Sequence, residues 1–258
     1  MPQADLDGPL QDFKERTKQI REVVAAVEAV GKTPAAVSTA RPLVNFNNIG
    51  AQTSNTANSM ALIFLASTFE EFVREITVQC ANELMDKYSS FPDARKHSVR
   101  EAYWKASREQ LKYASILSSK VPDATLIAKL RSALEAQQGF VIGNDPAKLA
   151  VQVFPHHSNN FKPGVVVEIM ARLGMSKVIE TMAEYARLKT YFGVTKKEDC
   201  CSRIKTKWIE FYDRRNETVH SLGGTTGFAI EVIFDYIEFL ELVAEAMKAT
   251  VGRAISAW

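Results

Sequence analysis

The stretch "SMALIFLASTFEEFVREITVQCANELMDKY", residues 59–88, limits the possible folds most severely. It contains neither glycine nor proline, and its first half is apolar nearly all round. As a helix it would run about 45 Å, and a helix apolar on every side must be surrounded by others. Asn58 or Ser59 is the expected cap. The apolar positions Leu62, Leu65, Ala66, Phe69, Val73 and Ile76 then form its packing stripe. The chain is expected to build a bundle around this element.

Other segments repeat the helical period. Residues 10–30 place Leu10, Phe13, Ile20, Val23, Val24, Val27 and Val30 largely at helical spacing, and Gly31 ends that helix. A long connector with two prolines and many small polar residues follows, expected to wrap the surface or mark an appended N-terminal arm. Further helices are expected over about 94–119, from Pro122–Asp123 onward, over 164–188 with a break near Gly174, and from near Thr195 to His220. Gly223 and Gly224 then precede a last amphipathic helix. Only "GFVIG" and "PGVVVEI" suggest strands, and both are short. The expected class is all-α, an irregular helical bundle. The expected division is an N-terminal helix and connector over 1–50 and a helical domain over 51–258.

The totals exclude some functions. A net charge of +2 over 258 residues does not mark a nucleic-acid binder, so any electrostatic case must be local. Cys80, Cys200 and Cys201 show neither zinc spacing nor a disulfide framework, which suggests reduced thiols in a cytoplasmic protein. The N-terminus has no apolar signal core, and "MALIFLA" falls far short of the roughly 20 residues that span a bilayer. No phosphate-cradling glycine loop, "GxSxG" or "HExxH" occurs. Neither a metal nor a cofactor is expected.

Two regions carry weaker signals. Residues 93–131 hold nine Lys/Arg against four Asp/Glu, with Tyr103, Trp104 and Tyr113 interleaved. Arg100, Arg108 and Lys112 suit a phosphate-tracking face, although a solvated helix face explains the pattern equally well. "FPHHSNNF" offers His156 and His157, which lack metal-ligand spacing, and Asn159 and Asn160, suited to substrate contact from a loop.

The strongest local anomaly is "DRRNETVH", residues 213–220. Ile204, Trp208, Phe211, Tyr212 and Val219 form the apolar stripe of that helix, and Arg215 falls inside it, about 20° from Ile204. A guanidinium in such a slot requires partners. Glu70 borders the stripe of the central helix, whereas Glu71 points away, so Glu70 is the expected partner. Asn216 and His220 stack one turn apart, while Arg215 and His220 diverge by about 140°. A structural ion pair beside a helix-terminal histidine remains the plain alternative.

Arg215, Asn216 and His220 resemble the Arg–polar–histidine motif of the HEPN superfamily, at its shortest spacing. Phe69, Glu70 and Phe72 in "STFEEFVREI", and "NNFKPGVVVEIMARLGM", are similar to the RiboL-PSP-HEPN branch, over roughly residues 55–250. The resemblance implies a HEPN-type bundle with an N-terminal helical extension, and a metal-independent endoribonuclease. Two copies would face each other across a two-fold axis. Attack by the 2′-hydroxyl of RNA would leave 2′,3′-cyclic phosphate ends. By that resemblance Arg215 would bind the phosphate, His220 would transfer a proton, Asn216 would orient either group, and Glu70 would hold Arg215. Arg214 also lies within the motif's reach as a substrate contact. The implied substrate is tRNA or mRNA, the implied setting a toxin or antiviral defence effector, with a cognate antitoxin or defence partner. Leu222 stands where relatives paired with nucleotidyltransferase-type antitoxins often carry tyrosine, which weakens that pairing. The alternatives are a non-catalytic helical module binding protein or RNA, and a metal-dependent hydrolase using His156 or His157.

Overall fold

The computed structural model describes residues 4–32, 50–112, 124–220 and 227–258. Among them are nine α-helices and no strand. They are α1 (Asp7–Lys32), α2 (Ala51–Lys87), α3 (Asp93–Lys112), α4 (Ala124–Ala136) and α5 (Pro163–Arg172). There follow α6 (Val178–Met182), α7 (Ala186–Phe192), α8 (Lys197–His220) and α9 (Ile230–Ser256). The class is all-α, as the periodicity indicates.

Both short strand candidates are helical. "GFVIG" lies largely in a π-helical turn, Gln137–Ile142. "PGVVVEI" opens α5, where Pro163 occupies the first turn and Val166, Ile169 and Met170 are buried at helical spacing. Gly174, at φ +86°, interrupts the helical stretch after α5 in the left-handed conformation that glycine adopts without strain. The expected caps of α2 are displaced. The helix begins at Ala51, and Asn58 is a buried interior residue whose side chain serves another element. Pro122, Asp123, Gly223 and Gly224 lie outside the described residues.

The chain forms two compact units. One comprises Asp7–Phe72 and Met182–Ala246. Its centre is Phe69, fully buried, edge-on to Trp208 of α8 at 5.2 Å between ring centroids and to Phe13 of α1 at 5.9 Å. Phe13 also lies 5.4 Å from Phe72, so the N-terminal helix is built into this core. Ion pairs hold its polar edge: Glu245 accepts from Lys14, Tyr185 and Arg187, while Glu241 takes Arg21 and the buried Thr17 hydroxyl.

The other unit comprises Met1–Leu6, Val73–Thr181 and Met247–Trp258. Its core stacks Tyr103 edge-on against Phe140 and Phe154, at 5.1 and 5.7 Å. The loop after Phe154 is held by Arg172, which is only 7% exposed. Its Nη1 donates to the carbonyls of Phe154 and His156 at 2.8 and 2.7 Å, and its Nη2 donates to Glu168 at 2.9 Å. Burial acts to raise the Glu168 carboxyl, but the hydrogen bond and charge of Arg172, with His157, outweigh it and hold it below its ordinary range. Burial pushes His156 below the usual histidine range, and the charges of Arg172, His157 and Arg74 add to the shift.

Two consequences are measurable. Phe69→Ala opens a void between three aromatic rings and should cost about 3–5 kcal/mol in urea unfolding. The second concerns pH. A histidine depressed on folding binds fewer protons folded than unfolded as pH falls below about 6.5. His156 thus contributes stability that is present above that pH and lost as pH drops through its lower folded value. Melting temperature should fall between pH 7 and pH 5, and His156→Gln should flatten that part of the profile.

Candidate active site

Helix α8 ends on the anomalous motif. Its first turn carries Glu198 and Asp199 and its last carries His220, the charge order that suits the helix dipole. Ile204, Trp208, Phe211 and Tyr212 are fully buried, and Val219 is half-buried. Arg215 is half-buried, as its place in the apolar stripe requires, and His220 is exposed.

The surroundings of Arg215 correct one expectation. Its Nη1 donates to Asn216 Oδ1 at 3.2 Å, and its buried Nε has no hydrogen-bond partner among the described residues. Among the described residues it forms no ion pair with Glu70. Glu70 is half-buried and Glu71 exposed, as the helical wheel implies. The reason is axial register. Phe69 meets Trp208, and Arg215 lies two turns beyond Trp208, about 10 Å along α8. Glu70 is therefore level with the tryptophan rather than with the arginine.

Arg214 is committed elsewhere. Its Nη2 pairs with Glu210 at 2.9 Å, and its guanidinium lies 5.8 Å from the centre of the Phe228 ring and 5.9 Å from that of Tyr236. The Tyr236 hydroxyl donates to the same Glu210 at 3.0 Å. This network braces the last turns of α8 against α9.

Sequence reasoning missed two residues that shape this end of the helix. Asn58 Nδ2 donates to the carbonyl of Phe228 at 2.6 Å. Asn55 lies so near Gly227 that a Cβ there would fall 1.9 Å from the amide carbon, so any larger residue must push the Asn55 side chain aside. The chain returning after His220 is thus tied to α2. An asparagine inside a long helix was the available signal, and its reading as a cap obscured it.

Asn159, Asn160, Arg100 and Arg108 belong to the other unit. Asn159 and Arg108 line one cleft of about 780 Å³ with Trp104, Lys105, His156 and Arg172. Arg100 and Asn160 are not among the residues lining it. Lys112's side chain lies outside the described residues. Among the described residues no three His, Cys, Asp or Glu side chains converge as metal ligands. None of the described helices is long and apolar enough to cross a membrane.

No curated protein and no solved structure shows significant similarity to this chain. The RiboL-PSP-HEPN family model matches residues 40–252, a span that starts earlier than the motifs suggested and contains Arg215, Asn216 and His220. The chain belongs to the RiboL-PSP-HEPN family, one of the HEPN-type families.

Proposed function

We propose that the end of α8 is the active site of a metal-independent endoribonuclease. The observation that carries this reading is Arg215. A half-buried guanidinium whose Nε has no partner among the described residues is a costly element of architecture, whereas its planar donors suit phosphate oxygens. The exposed His220 stands on the last turn of the same helix.

The chemistry needs few groups. The 2′-hydroxyl oxygen attacks the adjacent phosphorus, a new P–O2′ bond forms, and the P–O5′ bond breaks. One proton leaves the 2′-hydroxyl and one reaches the departing 5′-oxygen. His220 takes or delivers a proton in this exchange, a task suited to an imidazole, whose two ring nitrogens can accept and donate. Arg215 binds the phosphate and offsets the charge growing on its oxygens. Asn216, already in contact with the guanidinium, holds it in place and takes the role expected of Glu70.

Arg215 and His220 diverge by about 140° around α8, which favours a cleft assembled from two copies of the chain. Such an enzyme acts as a homodimer on tRNA or mRNA, as a toxin or antiviral defence effector restrained by a partner.

His220→Ala and Arg215→Ala should each lower cleavage by about 10²–10⁴-fold with dimer formation retained. Undiminished cleavage by both variants would refute the assignment. Mixing the two inactive proteins tests the shared cleft. A heterodimer pairs an intact Arg215 from one chain with an intact His220 from the other, so cleavage should partly return. Tight RNA or protein binding with no cut strand at large protein excess would point instead to a non-catalytic module.

A further inference from the structure

The unit comprising Met1–Leu6, Val73–Thr181 and Met247–Trp258 has a cleft that the reaction above does not use. One wall is α3. There Tyr103 is fully buried in the core while its neighbour Trp104 is 44% exposed and turned to the cleft. Arg108 follows Trp104 by one helical turn, is exposed, and forms no ion pair among the described residues. Lys105 lies beside them, paired with Glu101 at 2.7 Å.

The opposite wall is the loop after Phe154, and it is built rather than loose. The buried Arg172 holds the Phe154 and His156 carbonyls. His157 Nδ1 accepts the Asn159 backbone N–H at 3.0 Å, and His157 Nε2 lies 3.5 Å from Glu168. These contacts fix the backbone that carries Ser158 and Asn159 at the cleft edge. His156 also lines the cleft, and its Nε2 has no hydrogen-bond partner among the described residues.

We propose that this cleft binds one unpaired nucleotide of an RNA strand, its base stacked on Trp104 and its phosphate on Arg108. The volume falls in the range of small-molecule sites, and the lining joins one aromatic face to a few convergent polar groups. An indole left half in water gains by covering its face, and any base supplies a flat one. A duplex offers none, so the ligand is single-stranded. The Asn159 amide carries both a donor and an acceptor, as reading a base edge requires. The choice of RNA over other nucleotides rests on the ribonuclease reading; the site itself does not. In that setting the cleft selects strands with an unpaired base.

The test uses full-length His220→Ala protein, so that bound RNA stays whole, and the anisotropy of a labelled twelve-residue oligoadenylate. Adding Trp104→Ala should weaken binding about tenfold or more, while Trp104→Phe retains most of it. Adding Arg108→Ala should weaken binding and lower the salt slope by about one. Matched melting curves exclude misfolding as the cause. Displacement of the oligonucleotide by millimolar adenosine monophosphate would show that the cleft also takes free nucleotide. A Trp104 effect without displacement would show that it requires a continuous strand. Either result supports the site. Unchanged affinity and salt slope in both alanine variants would overturn it. Because binding is read in protein lacking His220, an inactive parent enzyme would refute only the ribonuclease reading.

Discussion

The edge-on contact of Phe69 with Trp208 sets the geometry of the motif. It joins the most apolar part of α2 to the middle of α8 and fixes how far along α8 every later residue lies. Two turns beyond that contact, the stripe that buried Trp208 and Phe211 reaches Arg215. A residue of leucine's character would complete the packing there. The chain instead holds a guanidinium that touches Asn216 and leaves one donor unpartnered among the described residues. Buried donors without acceptors cost about 1–3 kcal/mol each, a cost that the proposed phosphate contact would offset.

The same principle separates the two arginines of "DRRN". Arg214 is paired with Glu210 and stands beside two aromatic rings, so it braces the helix end. Arg215 lacks a carboxylate partner among the described residues and is the one that the proposed function assigns to the phosphate. Asn58 and Asn55 complete the scaffold, Asn58 by bonding the Phe228 carbonyl and Asn55 by packing closely over Gly227. With Glu210, these groups define where the chain leaves and rejoins the helical frame around His220.

Much of this was legible in the sequence because it depends on period alone. The all-α class, the central role of residues 59–88 and the intrusion of Arg215 into an apolar stripe follow from counting residues around a helix. What failed depends on register between helices. A helical wheel places Glu70 on the correct side of α2 but says nothing of its height along α8, and among the described residues the contact of Arg215 is Asn216. Asn58 read as a cap because capping is a local rule, whereas its bond to Phe228 spans 170 residues. The Arg172 clamp was invisible for the same reason: its acceptors are main-chain carbonyls of a distant loop. Trp104 and Arg108 were visible as an aromatic among basic residues, but only the fold shows that they border a cleft with Asn159.

The central claim is that this helix end cuts RNA by using the RNA's own 2′-hydroxyl. The chemistry of the cut ends tests it most directly. Purified protein is incubated with total tRNA and a structured mRNA in a strong chelator, and the fragment termini are identified by mass. Discrete fragments ending in 2′,3′-cyclic phosphate, with 5′-hydroxyl termini on the downstream pieces, are expected. Fragments carrying 5′-phosphate, or cleavage that appears only when a divalent metal is restored, would contradict it.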